Sequence, residues 1–197
     1  MQIDPNILLA WGGVAKKYGK NEIIFHEDTD ALFYHQILEG QVKMMNINND
    51  GKEFIQGIFN DGDSFGEPPL FINKPYPASA ITCKNSVIIK LSKQTMLKLL
   101  DQYPDLGKSI IIQLSERIYN KTITTRELIY NKPEDRILAI LKEYKKKFGD
   151  EGADWQVPHT RQEIANLTGL RVETVIRALK KMETQQKVKI VNHKLYF

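Results

Sequence analysis

The chain of 197 residues is 42% hydrophobic and 26% charged, with a formal net charge of +4, which suits one or two domains that each bury an apolar core. No apolar run approaches the roughly 20 residues that a bilayer-spanning helix needs, and the first residues lack a basic segment followed by a long apolar one, so we expect a cytoplasmic protein with no membrane partner. The single cysteine, Cys83, excludes an internal disulfide and an iron–sulfur cluster held by several thiolates, and we interpret it as a small buried apolar residue.

Short apolar runs separated by turn residues fill the first half of the chain. A short helix over residues 4–14 precedes them, and the runs follow from about Asn21 to Leu91. Asp50-Gly51 stands between two alternating segments, a pattern typical of a β-hairpin. Strands of this length and spacing predict an antiparallel sandwich or barrel. We therefore predict an α+β protein whose first domain, residues 1–102, is a β domain with short flanking helices.

The hydrophobic period changes after Ser92. One helix is predicted from Ser92 through Leu100, and a longer one begins at Pro104 and reaches the residues before Pro133. Along the longer helix, apolar residues recur every four positions at Leu106, Ile110, Leu114 and Ile118. We interpret residues 103–132 as a dimerisation helix that pairs with its own copy in a homodimer. A helix packed on the sheet of its own chain is the alternative.

Residues 133–197 hold 13 Lys or Arg against 9 Asp or Glu, so the net positive charge lies in this third domain. A polyanionic partner or a solvated lysine-rich surface would account for it. Thr160 to Glu163 has the pattern of a capping box, and Gly169 can end the helix that starts there. A second helix follows over Thr174 to Met182. Small Ala165 at the crossing and the apolar residues around the turn indicate a helix-turn-helix, and the alternating segments at 187–191 and 194–197 predict a wing.

The second helix of this unit has an outward face that suits base reading in the major groove. Arg177 can pair with guanine, Glu173 can accept from the cytosine amino group, and Ile176 can touch a thymine methyl. A surface ion pair between Glu173 and Arg177 is the alternative, but it leaves the exposed isoleucine unexplained. Phosphate contacts are predicted for Thr160, Arg161, Gln162, Lys180 and His159.

These motifs resemble those of the cyclic-AMP receptor and fumarate-nitrate reduction regulator (CRP/FNR) superfamily over nearly the whole chain. The matching segments are LEGQV at 38–42, GDSFGE at 62–67, ASA at 78–80, TRQEIA at 160–165 and VETVIR at 172–177. The resemblance implies a cyclic-nucleotide-binding-type β-roll (jelly roll), a dimerisation helix and a winged helix-turn-helix that binds double-stranded DNA and controls transcription with RNA polymerase. Val172 is also expected among the base-reading residues. It stands where the cyclic-AMP branch has an arginine, so the expected site is a palindrome with a TGA-like core in each half.

The same resemblance implies an effector pocket at Gly66, Glu67, Ala78, Ser79 and Thr122. Cyclic-AMP binders carry an arginine at the position of Ala78, so we expect cyclic AMP to bind poorly and the small-molecule effector to be different and unknown. His26 and His35 are expected on strand surfaces, which gives no basis for haem. No metal site, cofactor or catalytic residue is predicted. The alternatives left open are a cyclic-nucleotide-responsive regulator and a ligand-binding module without regulated DNA binding.

Overall fold

The computed structural model describes residues 3–48, 51, 53–130, 132–148 and 155–197, and it describes the side chains of these residues except those of 127–130, 147 and 148. The chain divides into two compact units, residues 1–116 and 117–197. The division falls inside the long helix, so residues 103–116 of the predicted dimerisation segment pack with the first unit. The Asn49-Asp50 part of the predicted hairpin turn lies outside the described residues.

The first unit is a roll of two four-stranded antiparallel sheets. One sheet has the order β1-β8-β3-β6 and the other the order β2-β7-β4-β5. Three helices, α1, α2 and α3, accompany the sheets, and the long helix α4 follows. The elements are α1 (Pro5–Ala10), β1 (Val14–Tyr18), β2 (Ile23–Phe25), β3 (Phe33–Glu39), β4 (Gln41–Ile47), β5 (Glu53–Asn60), β6 (Ser64–Phe65), α2 (Glu67–Ile72), β7 (Ser79–Thr82), β8 (Ser86–Ser92), α3 (Lys93–Gln102) and α4 (Pro104–Tyr130).

Gly40 connects the two sheets between β3 and β4. Its φ of 123° lies in a region that residues with a side chain rarely adopt. A Cβ added here would lie 2.1 Å from Ser86 Oγ and 2.6 Å from Ser86 Cα. A glycine is therefore required where the chain crosses from one sheet to the other. The predicted pairing of β4 with β5 is confirmed, with Gln41 opposite Asn60 and Ile47 opposite Glu53.

Three sequence-based expectations about the roll are wrong. Helix α1 ends at Ala10 rather than near residue 14, because the glycines at 12 and 13 follow and Gly13 lies too close to Leu8 O to carry a side chain. His35 is 4% exposed rather than on a strand surface, because both faces of β3 are covered. Cys83 is half-buried rather than buried, and its amide donates to Gln41 O at 2.7 Å.

Helix α4 packs on the roll with the face that was predicted to form the dimer. Ile110 is buried in the core of the roll, and Leu106 and Leu114 pack against that core. These three residues thus pack on the roll of their own chain, and their part in a dimer stays a prediction. Other apolar side chains of α4 are exposed, among them Ile111, Ile112, Ile118, Tyr119 and Ile123. We call these five residues the α4 apolar stripe.

Beyond the end of α4, the described part of the second unit contains three helices and a two-stranded hairpin. They are α5 (Pro133–Phe148), α6 (Arg161–Thr168), α7 (Val172–Thr184), β9 (Lys189–Val191) and β10 (Lys194–Tyr196). Their core includes Ile137, Leu141, Ile164, Val175, Leu179, Met182 and Leu195. Residues 155–157 add a short segment beside β10, where Val157 N donates to Leu195 O at 2.8 Å. The hairpin is the predicted wing, with Asn192 and His193 at positive φ in its tight turn.

Candidate nucleic-acid interface and effector pocket

Helices α6 and α7 form the predicted helix-turn-helix. The Thr160 hydroxyl accepts from Glu163 N at 3.1 Å, and the Glu163 carboxylate accepts from Thr160 N at 2.7 Å, which completes the capping box. Gly169 ends α6 with φ of 67°, and its amide donates to Ala165 O. Only two residues then separate this glycine from the first residue of α7. The local chemistry of both caps thus sets the start of one helix and the short turn before the other.

Helix α5 contacts both helices of the helix-turn-helix through polar side chains. The Lys181 ammonium lies 2.6 Å from a Glu134 carboxylate oxygen, and this hydrogen bond lowers the pKa of Glu134. The Arg136 guanidinium donates to Thr168 O at the C terminus of α6, where a cation also interacts favourably with the helix dipole. Sequence reasoning did not find these contacts, because both partners of α5 lie more than thirty positions along the chain.

The predicted base-reading row lies on the free face of α7. Val175, Ala178, Leu179 and Met182 bury one side of the helix in the core of the unit. Glu173, Arg177 and Lys180 are exposed, and Ile176 is 43% exposed on the same outward side. Val172, at the first turn, is half-buried. The structure therefore brings an acid, an isoleucine and an arginine together on one solvent-facing surface, and none of the three belongs to the buried side of α7.

The predicted phosphate contacts differ in how available they are. Lys180 and Gln162 are exposed and Arg161 is half-exposed, all near the N terminus of α6 or on α7. Thr160 is exposed, but its hydroxyl also lies 3.0 Å from a Glu163 carboxylate oxygen, so the capping box already occupies it.

His159 does not fit the role of a phosphate contact. Its side chain is 7% exposed and packs edge-on against Tyr144 with ring centroids 4.6 Å apart. Burial lowers the pKa of His159 against an opposing contribution from Glu163, so the ring is held neutral. A buried neutral imidazole offers no charge to a phosphate, and the prediction for this side chain is corrected accordingly.

The residues predicted for the effector pocket are partly assembled in the roll. Gly66 (φ 75°) precedes buried Glu67, whose carboxylate accepts from the Ser64 hydroxyl. Ala78 is fully buried, and Ser79 Oγ accepts from Glu27 N at 2.9 Å. Sequence reasoning missed a further member, since Gln113 Nε2 of α4 lies 3.4 Å from Ser64 Oγ.

Aromatic rings occupy the interior of the roll beside Gly66. Phe25 and Tyr76 stack with centroids 3.6 Å apart, and a Cβ at position 66 would meet them at 3.0 and 3.1 Å. Burial, together with the charge of Glu67, raises the pKa of Tyr76 to about 12 although Tyr76 also donates to Phe33 O.

Thr122, the fifth predicted pocket residue, lies on α4 in the second unit. It is exposed, and its hydroxyl donates to Ile118 O of its own helix at 2.9 Å. Within the described ranges, no three His, Cys, Asp or Glu side chains cluster as metal ligands would. None of the described helices has the length and apolar character of a membrane span.

Comparison with known families and curated proteins reproduces this two-part organisation. Residues 15–103 match the cyclic nucleotide-binding domain and residues 135–196 match the Crp-like helix-turn-helix domain. The cAMP-activated global transcriptional regulator CRP of Pasteurella multocida is 28% identical over 172 residues, covering 86% of this chain and 82% of that protein. The transcriptional activatory protein AadR of Rhodopseudomonas palustris is 26% identical and covers 89% of this chain and 73% of that protein.

Solved structures share the fold across both units. The c-di-GMP responsive global regulator CLP of Xanthomonas campestris superposes with a TM-score of 0.81 at 22% identity, covering 97% of each chain. FixK2 of Bradyrhizobium japonicum gives a TM-score of 0.80 at 20% identity, covering 94% of this chain and 92% of that one. The cyclic nucleotide-binding domain is followed by the Crp-like helix-turn-helix domain, and the two matches together span most of the chain. The chain therefore belongs to the CRP/FNR family of DNA-binding transcriptional regulators, which are not enzymes.

Proposed function

We propose that the protein binds palindromic DNA as a homodimer, with a TGA-like core in each half-site, and regulates transcription together with RNA polymerase. The observation that carries the proposal is the row of Glu173, Ile176 and Arg177, which α7 presents to solvent while its opposite side is buried. A helix of this kind fits the major groove, where acid and base side chains distinguish a G·C pair from its alternatives.

Each member of the row has a distinct partner on the base edges. The Arg177 guanidinium can donate two parallel hydrogen bonds to guanine, and the Glu173 carboxylate can accept from the cytosine amino group. Ile176 supplies apolar contact for a thymine methyl. Arg161, Gln162 and Lys180 would hold the phosphates on either side, which fixes register but carries no sequence information.

The homodimer would form through the α4 apolar stripe. The face of α4 that was predicted for this role is used by the roll, which leaves the stripe as the apolar surface available on the same helix. Ile111, Ile112 and Ile118 are 66%, 60% and 67% exposed in one chain. Covering these side chains with a second copy of the helix would stabilise the dimer, because it removes apolar surface from water. A twofold-symmetric homodimer would also carry two copies of α7, one for each half of a palindrome.

Cyclic AMP is a poor fit for the effector pocket. The pocket offers Glu67, a buried carboxylate, while Ala78 has no group that could neutralise a cyclic phosphate. Charge-assisted hydrogen bonds of this type contribute about 1.5–3 kcal/mol. We therefore propose a different small-molecule effector. A cyclic-nucleotide-responsive regulator remains the second candidate because the nucleotide-binding domain matches residues 15–103. A ligand-binding module without regulated DNA binding is the third.

Gel-shift titrations test the reading row. The wild-type protein should hold a palindrome with two half-sites about one helical turn apart in the presence of competitor DNA. Arg177→Ala should remove the preference over a scrambled duplex, while Lys180→Ala should weaken binding to both duplexes alike. Equal retention of scrambled and palindromic duplexes by the wild-type protein would contradict the proposal.

Calorimetric titration with cyclic AMP tests the effector assignment. We expect no saturable binding at micromolar concentrations, because the cation for the phosphate is missing at Ala78. Micromolar binding that also tightens the protein–DNA complex would replace the proposed effector with the nucleotide-responsive alternative.

A further inference from the structure

The roll contains a cavity that the nucleotide pocket does not account for. Its volume is about 160 Å³, and aromatic rings of Phe25, Phe33 and Tyr76 form much of its wall. The four roll residues of the predicted effector pocket, at 66, 67, 78 and 79, are not among the described residues that line it. The stacked pair of Phe25 and Tyr76 borders this cavity and also approaches Gly66.

Two nitrogen-bearing side chains stand next to each other in this cavity. His35 of β3 and Lys90 of β8 are directly opposite residues in the antiparallel register, and both line the cavity. Opposite residues on neighbouring strands bring their Cβ atoms within about 5.5 Å on one face of the sheet. The Lys90 ammonium also lies 4.7 Å from the centroid of the Phe33 ring. The cavity thus has an aromatic wall and a cation beside a histidine.

The buried ring of His35 is not fully hydrogen-bonded by the described residues. The side chain is 4% exposed, and its Nδ1 has no hydrogen-bond partner among the described residues. Burial, with a further contribution from Lys90, lowers the pKa of His35 to about 3, so the ring is neutral at physiological pH. Buried polar atoms in native proteins are nearly always hydrogen-bonded, to the protein or to a bound molecule. One of the two ring nitrogens of a neutral histidine can donate to an acceptor.

The charges around the cavity favour an anion. Lys90 is half-buried, whereas the carboxylate of Asp30, which also lines the cavity, belongs to an exposed residue and is screened by water. An aromatic wall favours a planar apolar body. A cavity of about 150 Å³ is large enough to take benzene. The present one has a similar volume and opens to solvent beside exposed Leu32.

We propose that this cavity binds a small aromatic carboxylate, with the ring against Phe25 and Tyr76 and the carboxylate against Lys90 and His35. The inference rests on the proposed function only in taking the roll as the ligand-sensing unit. It assigns a chemical class to the ligand and places the site in the cavity that His35 and Lys90 line, rather than at Glu67 and Ala78.

Isothermal titration calorimetry with two matched probes tests the site. Benzoate and benzamide have nearly the same size and shape, but only benzoate is charged. On the full chain without DNA, benzoate should bind at millimolar concentrations or below and about tenfold or more tightly than benzamide, which corresponds to one charge-assisted contact. Equal affinity for the two probes, or no saturable binding of benzoate by folded protein, would overturn the proposal.

Variants separate the site from a general charge effect. Lys90→Gln should weaken benzoate binding about tenfold and leave benzamide unchanged. His35→Phe, which keeps a ring in the aromatic cluster, should also weaken benzoate binding. Lys84→Gln removes an exposed lysine elsewhere on the roll and should have no effect. An equal loss of affinity in Lys84→Gln and Lys90→Gln would refute the site.

The outcome is independent of DNA recognition. Arg177→Ala should bind benzoate as the wild type does, because the substitution lies in the other unit. A protein that binds benzoate but has no DNA preference would refute the proposed function and leave this site standing. A protein that reads the palindrome but does not distinguish benzoate from benzamide would do the reverse.

Discussion

Replacing Ile118 with lysine should break the proposed dimer while each protomer stays folded. Ile118 is 67% exposed, so its side chain contributes little to the fold of one chain. Full burial of an isoleucine contributes about 1.5–3 kcal/mol, and burial of the two-thirds that is exposed contributes about 1–2 kcal/mol. A twofold axis repeats the substitution, so the dimer should lose about 2–4 kcal/mol, which is roughly a 30- to 1,000-fold rise in its dissociation constant.

Sedimentation velocity over a range of protein concentrations measures this dissociation constant. The matched control is Ile72→Lys, because Ile72 is 64% exposed but lies on α2 outside the α4 apolar stripe. The control should dimerise as the wild type does. The reasoning fails if Ile118→Lys sediments as a dimer with unchanged affinity, or if Ile72→Lys weakens the dimer equally.

Three further predictions concern stability, each measured by urea unfolding. The pKa of His35 is near 6.5 in the unfolded chain and about 3 in the folded one, so below about pH 6.5 the unfolded chain binds an extra proton, and about 4–5 kcal/mol of stability is lost on approaching pH 3. His35→Phe should reduce the dependence of the unfolding free energy on pH over this range. An unchanged dependence would contradict the assignment of this loss to His35. Gly40→Ala should cost about 2–5 kcal/mol because the new Cβ meets Ser86, whereas Gly12→Ala, at positive φ in open space, should cost about 1 kcal/mol; equal costs would refute the steric argument. Thr160→Ala should cost about 1 kcal/mol through loss of the capping box, and no change would show that the cap is not needed.

The helix-turn-helix could be predicted from the sequence because its signals are local. The capping box spans four residues, and Gly169 ends the helix by its own conformational freedom. The wing turn at Asn192 and His193 is likewise decided by two residues. For the same reason the exposed row on α7 followed from helical spacing alone, and the structure places its residues on the surface as expected. What these residues bind stays a prediction.

The face of α4 could not be chosen from the sequence. Leu106, Ile110 and Leu114 form one apolar row, and Ile111, Ile112 and Tyr119 form another, so periodicity allows either row to face the roll. Only the packing of α4 against the roll decides between them. The choice depends on contacts between residues far apart in the chain, which the spacing along one helix does not contain.

The buried histidines were missed for a related reason. Alternation along β3 does not show which of its two faces turns inward. His35 lies on the inner face, where its ring packs against Phe65 and against Phe25 of the opposite sheet, so His35 is buried. His159 stands beside a cap residue, where polar side chains are usually solvated, yet Tyr144 from α5 packs over it. The cavity beside His35 joins residues from Tyr18 to Lys90, and no local motif marks it.

Selection of bound DNA from a random duplex library tests the central claim most directly, because it makes no assumption about the operator. The account predicts that the wild-type protein enriches two inverted half-sites about one helical turn apart. It also predicts that Arg177→Ala loses preference at one G·C pair in each half while Lys180→Ala keeps the same consensus at lower yield. A wild-type selection without a consensus, or a consensus that Arg177→Ala leaves unchanged, would show that the exposed row of α7 does not read bases.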